Sequence, residues 1–87
     1  MTVEISAISN ADARSYFERH SAFRGDFTLA LCVREGDIIH GVVAFDCDGG
    51  EFVKRHISTD GNAHIGSLLY GAMVRVAMAL GYKQITV

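Results

Sequence analysis

Residues 59–87 read TDGNAHIGSLLYGAMVRVAMALGYKQITV, and their reading decides the fold. Four turn formers, Thr59-Asp60-Gly61-Asn62, open the stretch. From about Ala63 to Leu80 the apolar residues Ile65, Leu68, Leu69, Ala72, Met73, Val76 and Leu80 recur at helical spacing. Tyr70, Val74, Ala77 and Met78 make the other side of this helix apolar too, and Arg75 is its one fully charged residue. Gly81 stands where a helix of this length needs a left-handed residue to stop. Tyr82 to Val87 then reads as a short closing strand. Just before the stretch, Glu51 to Ser58 mixes Phe52, Val53 and Ile57 with Lys54, Arg55 and His56, a strand with one polar face. Strand, helix and strand in this order form a right-handed crossover, so these two strands are expected to be parallel.

Working back from the crossover, Ile38 to Asp46 is a strand apolar on both faces at Val42, Val43, Ala44 and Phe45. Such a strand is central and covered on both sides. Glu35-Gly36-Asp37 and Asp48-Gly49-Gly50 are the turns on either side of it. Phe27, Leu29, Leu31 and Val33 alternate with Thr28, Ala30, Cys32 and Arg34, the clearest period of two in the chain. Ser9-Asn10-Ala11-Asp12 is a capping signal, and the helix it opens carries Ala13, Tyr16, Phe17 and His20 along one stripe. Thr2 to Ile8 alternates as a first short strand, with Val3, Ile5 and Ala7 on one side. The expected architecture is α/β (α+β layered): one domain over residues 1–87, order β-α-β-β-β-α-β, a mixed five-stranded sheet with both helices packed on it.

The composition narrows the function classes. At 87 residues the chain has room for one core and a thin stability margin. A hydrophobic share of 49% is too high for disorder, and no apolar run reaches the roughly 18 residues of a membrane span. Thr2, Val3 and Glu4 after Met1 carry no basic or apolar leader, so no secretory signal is expected. The net charge of −2 argues against nucleic-acid binding through bulk charge. Cys32 and Cys47 lie in apolar runs and read as free thiols in a reducing cytoplasm. The cysteines and the histidines His20, His40, His56 and His64 have no ligand spacing, so no metal is expected.

The run from Thr59 to Ala72, with Ala79-Leu80-Gly81-Tyr82-Lys83-Gln84-Ile85 after it, resembles the GNAT acetyltransferase superfamily. Its signature is a strand, a Q/R-x-x-G-x-G/A loop, a helix and a strand, often with ALGYK at the join. The Thr59-Asp60-Gly61 and Ser67-Leu68-Leu69-Tyr70-Gly71-Ala72 segments look most like small phage and prophage relatives of the Mom DNA-modification protein. In layout the resemblance covers almost the whole chain; in letters it is confined to residues 59–85. It implies a coenzyme A pyrophosphate held at the start of the long helix, where helix amides are free to donate. On this chain Gly61 takes the Q/R position, His64 the first glycine and Gly66 the last, so two of three signature positions differ. The implied cofactor-binding set is His64, Ile65, Gly66 and Ser67, with Gly66 and Ser67 at the helix start. The bland reading of the same residues is that Gly66 allows close helix–strand packing and Ser67 caps locally. The family pattern continues past the last strand with a further helix and a hairpin, so a truncated GNAT-like core is expected here, with the final strand as an open edge.

Two functions follow as expectations. The first is a phage-type GNAT-like protein that binds a macromolecule, for instance as an inhibitor of a host defence complex of the anti-CRISPR kind. It would act in the host cytoplasm as a homodimer or protein complex, with Tyr70, Val74, Met78, Ile85 and Val87 as interface. The alternative is a minimal acetyl-CoA-dependent N-acyltransferase, with weak affinity for its acyl donor because the loop is altered. Acyl transfer to an amine needs a base and oxyanion donors. Glu51 and His56 are the candidate bases. Asp46 and Asp48 are explained by turn chemistry, and Lys54-Arg55-His56 by a solvated basic strand face.

Overall fold

The computed structural model describes residues 2–47 and 50–87. Its elements are β1 (Glu4–Ala7), α1 (Asn10–His20), β2 (Leu29–Glu35), β3 (Ile38–Asp46), β4 (Val53–Thr59) and α2 (Ala63–Ala79). The four strands pair antiparallel in the order β1-β2-β3-β4. The helices cover opposite faces. Ala13, Tyr16 and Phe17 of α1 pack with Phe27, Ala30, Cys32, Val42 and Ala44. Ile65, Leu69, Met73 and Ala77 of α2 pack with Val33, Val43, Phe45 and Phe52. Successive side chains of β3 therefore enter different cores, which is why this strand is apolar throughout. Val42, Val43, Ala44 and Phe45 are all at most 1% exposed. Each buried side chain of Val or Phe size stabilises the fold by about 1.5–3 kcal/mol.

Local signals set the helix bounds. Ser9 is extended and its hydroxyl accepts from the Asp12 amide at 3.1 Å, closing the first turn of α1. Gly81 has φ +91° and donates to the Met78 carbonyl at 3.0 Å, while Tyr82 donates to Ala77 at 2.9 Å. That pair of bonds is a Schellman stop. It leaves Leu80 outside α2 and 56% exposed rather than in the buried stripe. His20, expected on the buried stripe of α1, is exposed and stacks on Tyr16 with ring centroids 4.1 Å apart. Ala7 is likewise exposed, whereas Val3 and Ile5 pack under α2.

The expected fifth strand is reduced to one parallel bridge, Val53 with Thr86. Lys54 donates to the Thr86 carbonyl and Thr86 to the Phe52 carbonyl, both at 2.8 Å. The parallel direction is the one the crossover demanded. The segment is held by side chains more than by a ladder. Tyr82 packs across Phe52 and its hydroxyl donates to the Cys47 carbonyl at 2.7 Å, and Ile85 packs on the α2 core. Of the turn expected at Asp48-Gly49-Gly50, Asp48 and Gly49 lie outside the described residues, and Gly50 has φ +83°.

Two bulges break the register. Val33 faces Gly41 and Arg34 faces Ile39, so His40 is the extra residue on β3. Ala44 faces His56 and Phe45 faces Lys54, so Arg55 is the extra residue on β4. A bulge re-aims side chains and bends its strand. Both affect the site.

Candidate functional site

The bulge at Arg55 divides β4. Before it, the outer edge bonds to Thr86; beyond it, no bond or bridge to the outer edge is present among the described residues. An open edge therefore runs along β4 to Thr59 and into the β4–α2 loop. This edge offers unpaired backbone donors and acceptors to an extended ligand.

The bulge also turns Arg55 and His56 towards the α1 face. Arg55 Nε donates to an oxygen of Asp46, and the other oxygen of Asp46 accepts from the Thr28 hydroxyl at 2.9 Å. The hydrogen bond from Arg55 holds the Asp46 carboxyl below its ordinary range. Arg55 is thus paired with Asp46, while Lys54 remains close enough to His56 to act on its charge. His56 lies against aromatic rings, stacked on Phe23 at 4.6 Å and edge-on to Phe17 at 5.1 Å. Burial, helped by Lys54, pushes its pKa down, so its neutral form prevails at neutral pH. Its Nε2 is 3.0 Å from the Ser21 hydroxyl, and that hydroxyl donates to the Phe17 carbonyl at 3.2 Å. When the Ser21 hydroxyl donates to the Phe17 carbonyl, Ser21 accepts and His56 Nε2 carries the hydrogen. In that tautomer Nδ1 is left with its lone pair, the state a general base requires. Glu51 is exposed and lies before β4, lining a cleft of about 270 Å³ with Phe52, Tyr82, Lys83 and Thr86.

The β4–α2 loop is a run of short-range hydrogen bonds. Gly61 donates to the Thr59 hydroxyl at 3.2 Å and has φ +102°, a conformation that favours glycine. Asn62 donates to Asp60 Oδ1 at 3.2 Å. The N-cap of α2 is Asn62, whose side chain accepts from the His64 amide at 2.9 Å. Gly66 and Ser67 consequently sit in the second turn of α2 and do not start the helix. Of the residues assigned to a cofactor, His64 is exposed in the first turn, whereas Ile65 is 2% exposed and belongs to the core. Close helix–strand approach occurs at Gly41, where an added Cβ would stand 2.7 Å from Ile65 Cγ2; at Gly66 it would meet only Thr59 Cγ2, at 3.9 Å.

Against this loop stands a cluster that the sequence reading did not single out. His40 Nδ1 is 2.7 Å from Asp60 Oδ2 and its Nε2 is 3.2 Å from Glu35 Oε1. A ring that donates from both nitrogens is an imidazolium, and the bond to Asp60, then that to Glu35, raises the pKa of His40. Asp60 is correspondingly lowered, first by His40. The cap is Asn62, read from sequence only as a turn former, and not Ser67; the signal that marks it is Asn before an apolar helical run. The His40 cluster was not legible, because its members are far apart in the chain.

On the far side of α2, Tyr70, Val74, Met78 and Ile85 line one groove together with Ala77 and Tyr82. Tyr70 and Met78 are 44% and 69% exposed; Val87, at 78%, lies outside the groove. Among the described residues no three His, Cys, Asp or Glu side chains are grouped to hold a metal ion, and no helix is long and apolar enough to cross a membrane.

No family model and no curated protein matches the sequence. Among solved structures, the chain is similar to the ribosomal-protein-S18-alanine N-acetyltransferase from Escherichia coli. The TM-score is 0.78 and the identity 14%, over 97% of this chain. The chain spans 64% of that protein's length. At that identity the likeness establishes the fold, and the fold is a GNAT-like core.

Proposed function

We propose that the chain is an acetyl-CoA-dependent N-acyltransferase domain. The observation that carries this reading is the open outer edge of β4, released at the Arg55 bulge and leading to the capped start of α2. An acyl-CoA has an extended amide-bearing arm and a pyrophosphate. The arm would hydrogen-bond along the edge like an added strand, and the pyrophosphate would lie by the loop at residues 59–64. Gly61 in its left-handed conformation keeps that loop low. The fold likeness to an N-acetyltransferase is consistent with this donor.

In the proposed reaction the acceptor amine attacks the thioester carbonyl. A C–N bond forms, the C–S bond breaks, and coenzyme A leaves as the thiol. His56 Nδ1 takes the amine proton, and the same proton, passed on from His56 by way of solvent, goes to the leaving thiolate. Ser21 and the rings of Phe17 and Phe23 hold the imidazole in the required tautomer and plane. Glu51 stands in the exposed cleft and has no comparable partner, so His56 is the better base. The fold likeness supports the acyltransferase reading better than the inhibitor reading, and the groove at Tyr70, Val74, Met78 and Ile85 is compatible with either.

The test is thermal unfolding with millimolar acetyl-CoA. Ligand at about 100 times its dissociation constant adds about 2.7 kcal/mol, a shift of roughly 10–20 °C for a domain this small. His56→Ala should retain the shift and lose acetyl transfer to amines. No shift at millimolar donor would overturn the reading.

A further inference from the structure

We infer that His40 is a positioning residue for the acyl-donor site: its charged ring latches the β4–α2 loop in the shape that receives the pyrophosphate, and loss of the proton loosens it. The inference rests on the acyl-CoA reading above. The geometry begins at the β3 bulge, which places His40 between the β2 end and the loop. From there one hydrogen-bonded relay runs to the helix. Glu35 Oε1 accepts from His40 Nε2 at 3.2 Å, and Asp60 Oδ2 accepts from His40 Nδ1 at 2.7 Å. Asp60 Oδ1 accepts from the Asn62 amide at 3.2 Å, and Asn62 Oδ1 accepts from the His64 amide at 2.9 Å. A backbone bond from Asp60 N to the His40 carbonyl, 2.9 Å, ties the two residues a second time.

The relay has an electrostatic consequence. α2 has no acidic residue in its first turn, so Asp60 is the carboxylate nearest the helix start in sequence. A free carboxylate there repels a phosphate. Paired with the imidazolium, which it shares with Glu35, its charge is partly offset and its position fixed, and its second oxygen is spent on the Asn62 amide. Deprotonated, His40 can donate to only one of its two carboxylates. Either Glu35 or Asp60 then loses its hydrogen, and negative charge returns to the loop. The other charged and titratable groups near this cluster come from α1 and α2, and the cation among them is Arg19, whose charge acts on Tyr16 together with that of Asp60. Tyr16 of α1 is neutral and buried, its hydroxyl has no partner, and Asp60 is the charge that acts on it most. His20 is stacked on the ring of Tyr16. His64, on α2, is exposed to solvent.

The experiment is calorimetric titration of coenzyme A into the intact chain from about pH 6 to about pH 9, across the range of a raised histidine. Wild type, His40→Gln and Asp60→Asn are compared, so that the ligand's own titration cancels. Wild-type affinity should fall about 1.5- to fivefold relative to Asp60→Asn as the pH rises, the range expected of one partly exposed charge pair. His40→Gln should bind weakly throughout and lack the step. Parallel curves for wild type and His40→Gln would overturn the role of His40 while leaving the acyl-CoA reading intact. No binding by wild type at any pH would overturn the acyl-CoA reading. The loop latch is then read from amide spectra. The Asn62 and His64 amides should titrate together with the His40 ring in wild type and not in His40→Gln, and amides that ignore the ring would overturn the latch.

Discussion

Gly41 and Gly66 lie on the two partners of one interface, and the structure assigns alanine substitutions there opposite signs. At Gly41, on β3, an added Cβ would stand 2.7 Å from Ile65 Cγ2, 2.9 Å from Leu69 Cδ1 and 3.2 Å from the Ser58 carbonyl. Carbon atoms prefer about 3.5–4.0 Å, so α2 must be pushed outward by roughly 0.6–1 Å. Ile65 and Leu69 are 2% and 0% exposed, and Ser58 O is backbone, so none of them gives way cheaply. Overpacking of this kind costs about 1–3 kcal/mol. Replacing glycine gains about 0.4–1 kcal/mol from the unfolded chain, which leaves Gly41→Ala about 1–2 kcal/mol less stable. For a domain of this size the melting temperature should drop by about 4–15 °C. At Gly66 the added Cβ meets only Thr59 Cγ2, at an ordinary 3.9 Å. The helical preference for alanine then makes Gly66→Ala more stable by about 0.8–1 kcal/mol. Urea and thermal unfolding of both variants read these signs directly. Ile65→Leu removes the Cγ2 methyl and should partly restore Gly41→Ala, a coupling between touching residues. A Gly41→Ala protein as stable as wild type would refute the close packing of α2 on β3. A destabilised Gly66→Ala would show that Gly66 is the contact after all.

Four further outcomes are expected. Asn62→Ala removes the acceptor for the His64 amide and should cost about 1 kcal/mol in urea unfolding. Tyr82→Phe loses the bond to the Cys47 carbonyl, about 1 kcal/mol, and hydrogen exchange at the Thr86 amide should speed up as the terminal segment loosens. Asp46 has a depressed folded-state pKa, so its stabilisation is present above its unfolded value of 3.8 and lost as pH falls through the folded value. Arg55→Gln should flatten that acid limb in a series of melting temperatures. Because burial lowers the pKa of His56, transfer should rise with pH through a value below 6.5 and then stay level; a limb above that value would exclude His56 as the base.

Much of the fold is legible residue by residue. The apolar run of β3 announces a strand covered twice, and Ser9 and Gly81 mark helix ends through local chemistry. The closing strand is harder to read. Tyr82-Lys83-Gln84-Ile85-Thr86-Val87 has strand letters, yet the β4 bulge turns the edge away after one bridge. A bulge is a disagreement between two strands, so neither strand shows it alone. Among candidate residues, His56 was named by type and place, but its state depends on Ser21 and Phe23, which come from the loop after α1. Gly66 was credited with close packing that belongs to Gly41, because the crossing point of a helix over a strand depends on where both axes run.

The sequence by itself determined the order of elements, the two-sided burial of β3 and the direction of the crossover. These follow from periodicity, caps and chirality, which act within a few residues or on every chain alike. Only the tertiary structure decided which titratable groups meet. It brought His40 between Glu35 and Asp60, and it buried His56 on Ser21, by means of two bulges that each shift a side chain by one position. Charge and proton state depend on neighbours within a few ångströms, and those neighbours are brought together by the packing of distant segments.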